Sequence, residues 1–470
     1  MIRENGALRS ASWEEALKHA ATLLKDENTA IIGSGSLTME EAILLQKLGR
    51  DCLASKHIAS NSHLLGAAAE DALDSILGFT GSTVPISAID DASLIIVMAA
   101  DTAKVAPVID FRIHRAKERG ARIVTIGPPN VIGELRNSPK LQTDTPAPVM
   151  GALLKRLELG GVVNREFLRR RCSGADRLEY AMKGISDREL LAGTGIDIEQ
   201  VDTIADLIRE SGENVVAIAD LQTCSTDDLR ALGVLMLSLG AIGTDGSGLL
   251  LLRRDINDQG LSFAGLHPSF MPGRKPSDVD IKDMIGALND GTITTGLIVG
   301  SDPAAVSAGH TLLEGMKHLV VLDIVETETT GMADVVLPIS APGETPGHFI
   351  NMERRVRRMT PMSACPSGRM TWEVLSDLMK ELGCAVPENP EELTREFEEI
   401  EKKAAVLSSR EDGTPVHLFT EQFLTEDGKA PLEKPAGASG GVPIEDSTST
   451  IIRWVRRYLE KESKTCRCEL

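Results

Sequence analysis

Short, uninterrupted apolar segments recur along this 470-residue chain, and a helical pattern separates each from the next. Residues 93–101 give the clearest case, because the stretch from Leu94 to Met98 carries no polar side chain. Strands that are apolar on both faces belong to parallel sheets covered by helices on both sides. The sequence therefore predicts an α/β fold built from doubly wound parallel sheets. The same pattern occurs at residues 29–36, 122–126, 215–219, 297–300 and 319–324.

Local signals also predict where several helices begin and end. Ser12 can N-cap a first helix, since acidic residues follow it in the first turn. Residues 38–52 place apolar side chains on one helical face, and residues 105–119 form a helix closed by Gly120. From about residue 403 the sequence is rich in Ser, Glu, Gly and Pro, which indicates an extended arm with an amphipathic helix at 449–462.

Charge, hydropathy and cysteine content exclude several classes of protein. The formal net charge is −19, which argues against a nucleic-acid partner because phosphates require a basic surface. No apolar run approaches the length of a membrane helix, so we expect no direct membrane insertion. The seven cysteines are dispersed, which is not a disulfide framework and favours a reducing cytoplasm.

Residues 333–358 form the most specific motif, ADVVLPISAPGETPGHFINMERRVRR. A buried strand at 335–337 is stopped by Pro338, and a Gly/Pro-rich loop leads to a second extended piece with polar residues from Asn351 to Arg355. Such a loop places polar groups at the carboxyl edge of a sheet, where open α/β folds bind ligands. This block resembles the "ADVVLP…E…GTF.N.E.R.Q" segment of the molybdopterin oxidoreductases. That family includes formate dehydrogenase large subunits and the large peripheral subunit of respiratory complex I.

The resemblance extends over roughly residues 1–400 and implies the domain organisation. It predicts one discontinuous α/β domain of residues 1–57 and 236–400, an inserted α/β domain of residues 58–235, and an arm of residues 401–470. In the family, a pterin dinucleotide cofactor lies between two such domains. The other matching motifs lie at residues 33–47, 97–102, 126–129, 239–273, 300–303 and 323–334.

A dinucleotide needs glycine near its pyrophosphate, hydroxyl or amide donors for phosphate, and a carboxylate for ribose or guanine edges. The resemblance implies molybdopterin guanine dinucleotide as the candidate cofactor, although the same residue types also serve ordinary strand-to-helix turns. Three family positions differ, since Met39, Gly127 and Pro129 stand where the family has an asparagine, an aspartate and an arginine. The predicted cofactor-binding residues are Asp101, Thr102, Gly127, Pro128, Asn257, Gln259, Gly300, Ser301, Asp302, Asp323, Glu326 and Thr327.

Metal ligands and clusters are not expected in this chain. Catalytic members of the family carry a cysteine or selenocysteine metal ligand at a position that falls near Leu65 here, and no cysteine lies between residues 52 and 172. His63 is the nearest alternative, and a lone histidine there is more often structural. No four cysteines have cluster spacing, so we predict no iron–sulfur cluster, no metal site and no catalytic residue. Two thiols of the Cys466-Arg-Cys468 motif cannot complete a metal site alone.

The resemblance implies a subunit of a multi-subunit redox complex that is catalytically reduced or structural. The alternative is an active molybdenum or tungsten oxidoreductase, such as a formate dehydrogenase, whose iron–sulfur and barrel domains lie on other chains. In either case we expect iron–sulfur and other redox subunits as partners, and instability of the isolated chain. The basic run at residues 354–358 could face cofactor phosphates or a carboxylate-rich partner surface.

Overall fold

A computed structural model describes residues 1–25, 28–66, 69, 71–133, 135, 138–279, 281–407 and 413–432. The chain forms two compact units. We call Met1–Ala67 with Arg253–Gly413 the split unit, and Ala68–Leu252 with the described residues from Thr414 the inserted unit. The predicted helix at 449–462 and the Cys466-Arg-Cys468 motif lie outside the described residues.

The strands within the described residues are short, and six of them are buried along their whole length. In chain order they are β1 Ile2–Glu4, β2 Ala7–Arg9, β3 Thr29–Gly33, β4 Ile58–Ser60, β5 Leu94–Met98, β6 Arg122–Gly127, β7 Lys140–Gln142, β8 Cys172–Ser173, β9 Val215–Asp220, β10 Gly248–Leu252, β11 Phe270–Met271, β12 Lys275–Pro276, β13 Thr295–Val299, β14 His318–Asp323, β15 Val335–Pro338, β16 Gly347–Ile350, β17 Val356–Met359 and β18 Ala430–Pro431.

The α-helices lie between these strands, as the sequence pattern predicts. They are α1 Trp13–Leu24, α2 Met39–Lys47, α3 Asn61–Gly66, α4 Asp74–Leu77, α5 Thr102–Val105, α6 Pro107–Glu118, α7 Pro146–Leu159, α8 Arg165–Arg171, α9 Ala175–Gly184, α10 Asp187–Leu190, α11 Ile198–Arg209, α12 Thr226–Ser238, α13 Asp258–Ala264, α14 Ile281–Asn289, α15 Ser307–Glu314, α16 Glu328–Met332, α17 Thr371–Glu381 and α18 Pro390–Lys403.

The split unit is built on a seven-stranded sheet in the order β2-β1-β15-β14-β13-β3-β4. The five strands from β15 to β4 are parallel, and β1 joins β15 in the antiparallel direction. Burial of β3, β13 and β14 on both faces explains why their sequences lack polar alternation. The predicted doubly wound parallel sheet is confirmed here.

The inserted unit is built on a five-stranded parallel sheet in the order β10-β9-β5-β6-β7. Strands β5 and β9 are fully buried and occupy its centre. A short parallel pair, β18 with β8, attaches the described residues near 430 to this unit. Arg171 strengthens that attachment, since it donates to the carbonyl groups of Phe419 and Thr420.

The units divide after Ala67 and after Leu252, later in the chain than the boundaries proposed from sequence at 57 and 235. The difference at the second boundary comes from β10, because its five residues pair in register with β9 of the inserted unit. Residues 414–432 likewise group with the inserted unit and do not form an arm of their own. A buried apolar strand does not reveal in its sequence which sheet it will join.

The individual elements agree with most local predictions. Ser12 N-caps α1, since its hydroxyl accepts the Glu15 amide at 3.2 Å. The helix predicted at 38–52 consists of α2 followed by a π-helical turn, Leu48–Cys52. The prediction of an extended piece around residues 351–355 is wrong. These residues form the turn between β16 and β17, and the Arg354 amide closes the turn by donating to Asn351 O. No helix within the described residues is both long and apolar enough to cross a lipid bilayer.

Candidate functional site

The split unit has a topological switch point between β3 and β13. These two strands are neighbours, but β3 is followed by β4 on one side while β13 is followed by β14 and β15 on the other. The loops that leave the carboxyl ends of two such strands diverge and leave a crevice, which is where open α/β sheets bind ligands. The relevant loops are Ser34–Ser36 after β3 and Gly300–Asp302 after β13.

Gly300 allows these two loops to approach closely. Its φ of 69° is in the left-handed region, and a Cβ would lie 2.8 Å from Ser36 Oγ and 3.0 Å from Ser34 Oγ. The Ser36 hydroxyl donates to the Gly300 carbonyl at 3.3 Å and lies 2.5 Å from the Ser34 hydroxyl. Sequence reasoning missed both serines as site residues. The Gly-Ser-Gly-Ser run after a buried strand is the signal that could have identified them.

Two buried polar atoms near this edge have no hydrogen-bond partner among the residues that the structure describes. They are Oγ of Ser301, a residue 7% exposed, and Oε1 of Gln259, a residue 1% exposed on α13. The start of α13 is tied to the loop after β3, because the Asn257 amide donates to Gly35 O at 2.9 Å. Since an unsatisfied buried polar atom costs about 1–3 kcal/mol, these atoms point to a ligand that would satisfy them. The residues at this edge thus fit a polar ligand.

Asn257 is fully buried, and both ends of its side-chain amide are engaged within the chain. Its Nδ2 donates to Leu37 O at 2.8 Å, and its Oδ1 accepts the Ile350 amide at 2.8 Å. Asn257 therefore connects the loop before α2 to strand β16. Asn257 lies beside the candidate cofactor edge, where its side chain holds these two segments together.

Asp302 lies in the loop after β13, Asp323 is the last residue of β14, and their carboxyl groups have different surroundings. Asp302 Oδ1 accepts both the amide and the hydroxyl of Thr329, at 2.9 and 2.6 Å, which fixes the start of α16. Asp323 is 8% exposed, and burial raises the pKa of its carboxyl. Thr327 is the N-cap of α16, while Glu326 is exposed. These four residues lie on two adjacent strand ends.

The inserted unit has its own switch point, between β5 and β9. Asp101 and Thr102 follow β5, where Asp101 pairs with Lys104 at 2.9 Å and the Thr102 hydroxyl donates to Asp110 at 2.6 Å. Gly127 ends the adjacent strand β6, and Pro128 follows it. The structure therefore brings these four predicted residues to one edge of the five-stranded sheet. Whether this edge and that of the split unit share one ligand stays a prediction.

The β5 end of this edge carries backbone strain. Ala99 has a φ of 47°, which is uncommon for a residue other than glycine. A Cβ on Gly127 would lie 2.9 Å from Ala99 Cα and 3.0 Å from Ala99 N, so only glycine fits beside this turn. The Thr223 hydroxyl, from the loop after β9, donates to Ala99 O. Sequence reasoning missed Asp220 and Thr223 here, although the strand that ends at Asp220 was recognised.

The position of the family's metal ligand, near Leu65, falls in α3. His63 of the same helix is buried, and its Nδ1 lies 2.6 Å from Ser60 Oγ. Its ring meets that of the buried His267 edge to face, with centroids 4.0 Å apart. His267 Nδ1 accepts the Ser269 amide at 3.0 Å, which leaves the proton of a neutral ring on Nε2. Sequence reasoning missed His267.

Arg354 corrects the expectation for the basic run at 354–358. It is fully buried, and its Nη1 donates to Val406 O at 2.5 Å, so this guanidinium holds the turn at residues 405–407 and faces neither phosphate nor partner surface. Burial lowers the pKa of Arg354 to about 10. Arg357 and Arg358 are exposed on β17, and for these two both expectations stay open.

Comparison with known proteins agrees with this geometry. Residues 1–381 match the sequence profile of the family described as "Molybdopterin oxidoreductase". The chain is 28% identical over 487 residues to the probable oxidoreductase YjgC of Bacillus subtilis, covering 92% of this chain and 49% of that protein. It is 27% identical over 426 residues to the assimilatory nitrate reductase catalytic subunit of the same organism, covering 82% and 60% respectively.

Two further similarities cover more of the other protein. The F420-dependent formate dehydrogenase subunit alpha of Methanocaldococcus jannaschii is 26% identical over 481 residues, which are 92% of this chain and 71% of that one. The acetylene hydratase structure from Pelobacter acetylenicus superposes with a TM-score of 0.62 at 14% identity, over 91% of this chain and 68% of that one, which indicates a shared fold. The chain spans about half the length of YjgC and 60% of the nitrate reductase subunit.

Proposed function

Because this chain belongs to the molybdopterin oxidoreductase family, we propose that it is a subunit of a multi-subunit electron-transfer complex and is catalytically reduced or structural. The observation that carries the cofactor part of the proposal is the pair of buried, unpartnered atoms, Ser301 Oγ and Gln259 Oε1, at the switch-point edge of the split unit. Each of these atoms would gain a hydrogen bond from a polar ligand bound at that edge.

The cofactor proposed for this edge is molybdopterin guanine dinucleotide. In the split unit Gly300 provides the close backbone approach, Ser301 and Gln259 provide polar atoms, and Asp323 provides a carboxyl group for a ribose or guanine edge. In the inserted unit the corresponding groups are those at the β5 and β6 ends, described above. When bound, such a cofactor supplies sulfur ligands for a redox-active metal.

The proposed reduced catalytic role rests on the residue at the family's metal-ligand position. The family's soft protein ligand falls near Leu65 in this chain, and a leucine has no donor atom for molybdenum or tungsten. We therefore propose that this subunit positions redox partners and does not itself turn over a substrate.

The partners proposed are iron–sulfur and other redox subunits of the same complex, in the cytoplasm. Several relatives are, by name, subunits, including the "NADPH-Fe(3+) oxidoreductase subunit alpha" of Geobacter sulfurreducens. The dispersed cysteines of this chain offer no electron path of their own, so clusters would come from those partners.

The second candidate function is an active molybdenum or tungsten oxidoreductase, such as a formate dehydrogenase. The buried His63–His267 ring pair favours this alternative. His63 lies on α3, the helix that carries the family's metal-ligand position, so the two rings provide polarisable groups there. Under this alternative the metal would depend on pterin sulfurs and oxo groups without a cysteine ligand.

The test is to purify the chain in its native complex and measure pterin, guanine nucleotide and metal per chain. Equimolar pterin with no formate- or nitrate-dependent dye reduction supports the scaffold proposal. Equimolar pterin and metal with turnover supports the alternative. Absence of pterin from an intact complex would refute the cofactor proposal.

A further inference from the structure

Two cysteine thiols of the split unit lie within hydrogen-bonding reach of each other, although they are far apart in the sequence. Cys52 ends the π-helical turn after α2, and Cys384 follows the end of α17. This turn and α17 pack against one another. Both cysteines are free and half-buried, so small reagents can reach them.

The backbone on each side of the pair is held by hydrogen bonds. On one side the Leu53 amide donates to Leu48 O at 3.2 Å, so the turn that carries Cys52 is closed. On the other side the Cys384 amide donates to Met379 O at 2.9 Å, after Gly383 has turned the chain with a φ of 83°. Neither thiol is on a loose loop, so their proximity is built into the fold.

The other described cysteines have different surroundings. Cys365 Sγ contacts Ser367 Oγ at 3.1 Å and Arg369 O at 3.2 Å. Cys172 and Cys224 are buried, and burial raises the pKa of both thiols. Among the cysteines that the structure describes, the contact between two half-buried thiols is thus particular to Cys52 and Cys384.

We propose that Cys52 and Cys384 form a reversible disulfide by exchange with a small-molecule disulfide, such as glutathione disulfide. In the first step one protein thiolate attacks a glutathione sulfur, forms a mixed disulfide and releases one glutathione thiolate. In the second step the other protein thiol attacks the protein sulfur of that mixed disulfide and releases the second glutathione. The two protein thiol protons leave with the two glutathione products, and the two electrons reduce glutathione disulfide.

Burial, together with the hydrogen bond to Cys384, raises the pKa of Cys52. Either thiol can make the first attack, and the other then resolves the mixed disulfide. The product would join the turn after α2 to the end of α17, bracing the helix that begins just after the Ser34–Ser36 loop of the candidate site.

The experiment equilibrates the purified native complex in glutathione buffers, from reducing to oxidising, and blocks free thiols before digestion. Trypsin releases Cys52 in the peptide 51–56 and Cys384 in the peptide 381–395, each with a single cysteine. We expect mass spectrometry to find these two peptides cross-linked in the oxidising buffer, with at least half of Cys52 in the cross-link, and separate again after reduction.

Two variants test whether the cross-link is specific to Cys52 and Cys384 or results from nonspecific oxidation. Cys52→Ser should abolish the cross-link and leave Cys384 as a stable mixed disulfide with glutathione, whereas the matched control Cys365→Ser should leave the cross-link unchanged. The proposal is overturned if wild-type protein carries glutathione on both cysteines without a cross-link, or if both thiols stay free in the oxidising buffer.

Discussion

Glu40 and His348 form a buried pair that joins α2 to β16. Glu40 Oε1 lies 2.6 Å from His348 Nδ1, and Glu40 Oε2 accepts the His348 amide at 2.8 Å. Thr394 adds a third hydrogen bond to Oε1 at 3.0 Å. The pair connects two of the motifs that carry the family resemblance, residues 33–47 and 333–358. These two motifs are therefore in direct contact in the folded chain.

Replacing Glu40 by Gln should destabilise the split unit. The Gln side chain places an NH2 group where one carboxylate oxygen accepts, so we expect a loss of roughly 1–3 kcal/mol in denaturant unfolding at pH 7. Glu396→Gln is the matched control. It removes the half-exposed pair with Lys47 and should change the unfolding free energy by about 0.5 kcal/mol or less.

The pH dependence gives a second readout for Glu40. Burial would raise its pKa, but the hydrogen bonds from His348 outweigh this and lower the pKa below 4.5. A lowered folded-state pKa means that the contribution to stability is present above pH 4.5 and is lost as the pH falls through the folded value. The variant should therefore lose less stability than wild type on acidification. Equal acid sensitivity would contradict the assignment.

Glu41, the next residue, should show the opposite slope. It is completely buried, and burial raises its pKa to about 7, above the unfolded value of 4.5. The folded state then binds more protons between these values, so stability falls as the pH rises from 4.5 to 7. Glu41→Gln keeps the cap on Thr38 and should raise the unfolding free energy at pH 8 by up to about 3 kcal/mol. Unfolding curves at pH 5 and pH 8 measure the difference, which should shrink at pH 5.

Substitutions that remove the two unpartnered atoms should weaken cofactor binding without lowering the stability of the fold. Ser301→Ala and Gln259→Leu remove no hydrogen bond within the chain, so the melting temperature should hold or rise while cofactor retention falls about tenfold, the equivalent of ~1.4 kcal/mol. Pterin and guanine nucleotide assays after dialysis measure retention. Asn257→Ala is the contrasting variant, because it breaks the bonds to Leu37 and Ile350 and should destabilise the fold by roughly 2–4 kcal/mol. Unchanged retention in both binding variants would remove the basis for the cofactor site.

Gly127→Ala should destabilise the inserted unit by roughly 2 kcal/mol or more, because the new Cβ would collide with the Ala99 backbone. Gly161→Ala is a suitable control. Gly161 also has a positive φ, 70°, but a Cβ there meets nothing within 4 Å, so only the conformational cost of about 1 kcal/mol applies. Thermal unfolding of both variants compares the two effects, and equal losses would show that the close approach to Ala99 is relaxed in solution.

The purified chain should contain no iron–sulfur cluster. Cluster ligands are thiolates, and the pKa of Cys172 is raised by burial to about 12 while that of Cys224 is raised well above its usual value. Iron and acid-labile sulfide should be near zero in the isolated chain and should co-purify with cysteine-rich partners in the complex. Stoichiometric iron and sulfide in the chain alone would refute this.

Sequence patterns predicted the sheets well because burial determines composition. Strand β5 is apolar throughout and β9 is apolar up to its last residue, Asp220, since both faces of each strand are covered. At most of their ends the observed bounds lie within two residues of the predicted ones. Contacts between distant loops have no comparable signature in the sequence. Nothing local in Ser36 signals that it meets Gly300, and nothing in Arg354 signals a buried side chain with a φ of 68°. Those features depend on contacts with residues 264 positions away for Ser36 and 52 positions away for Arg354.

The division of the chain between the units has a consequence for synthesis on the ribosome. Strand β3 ends at Gly33, and its neighbour β13 begins only at Thr295. The N-terminal segment of the split unit therefore cannot complete its sheet until some 260 further residues have been synthesised. The inserted unit also waits, because β8 pairs with β18 at Ala430. At about 5–20 residues per second, the nascent chain exposes the apolar edge of β3 for at least ten seconds or so. We therefore expect chaperone capture of stalled chains that end before residue 295, and release once β13 has emerged.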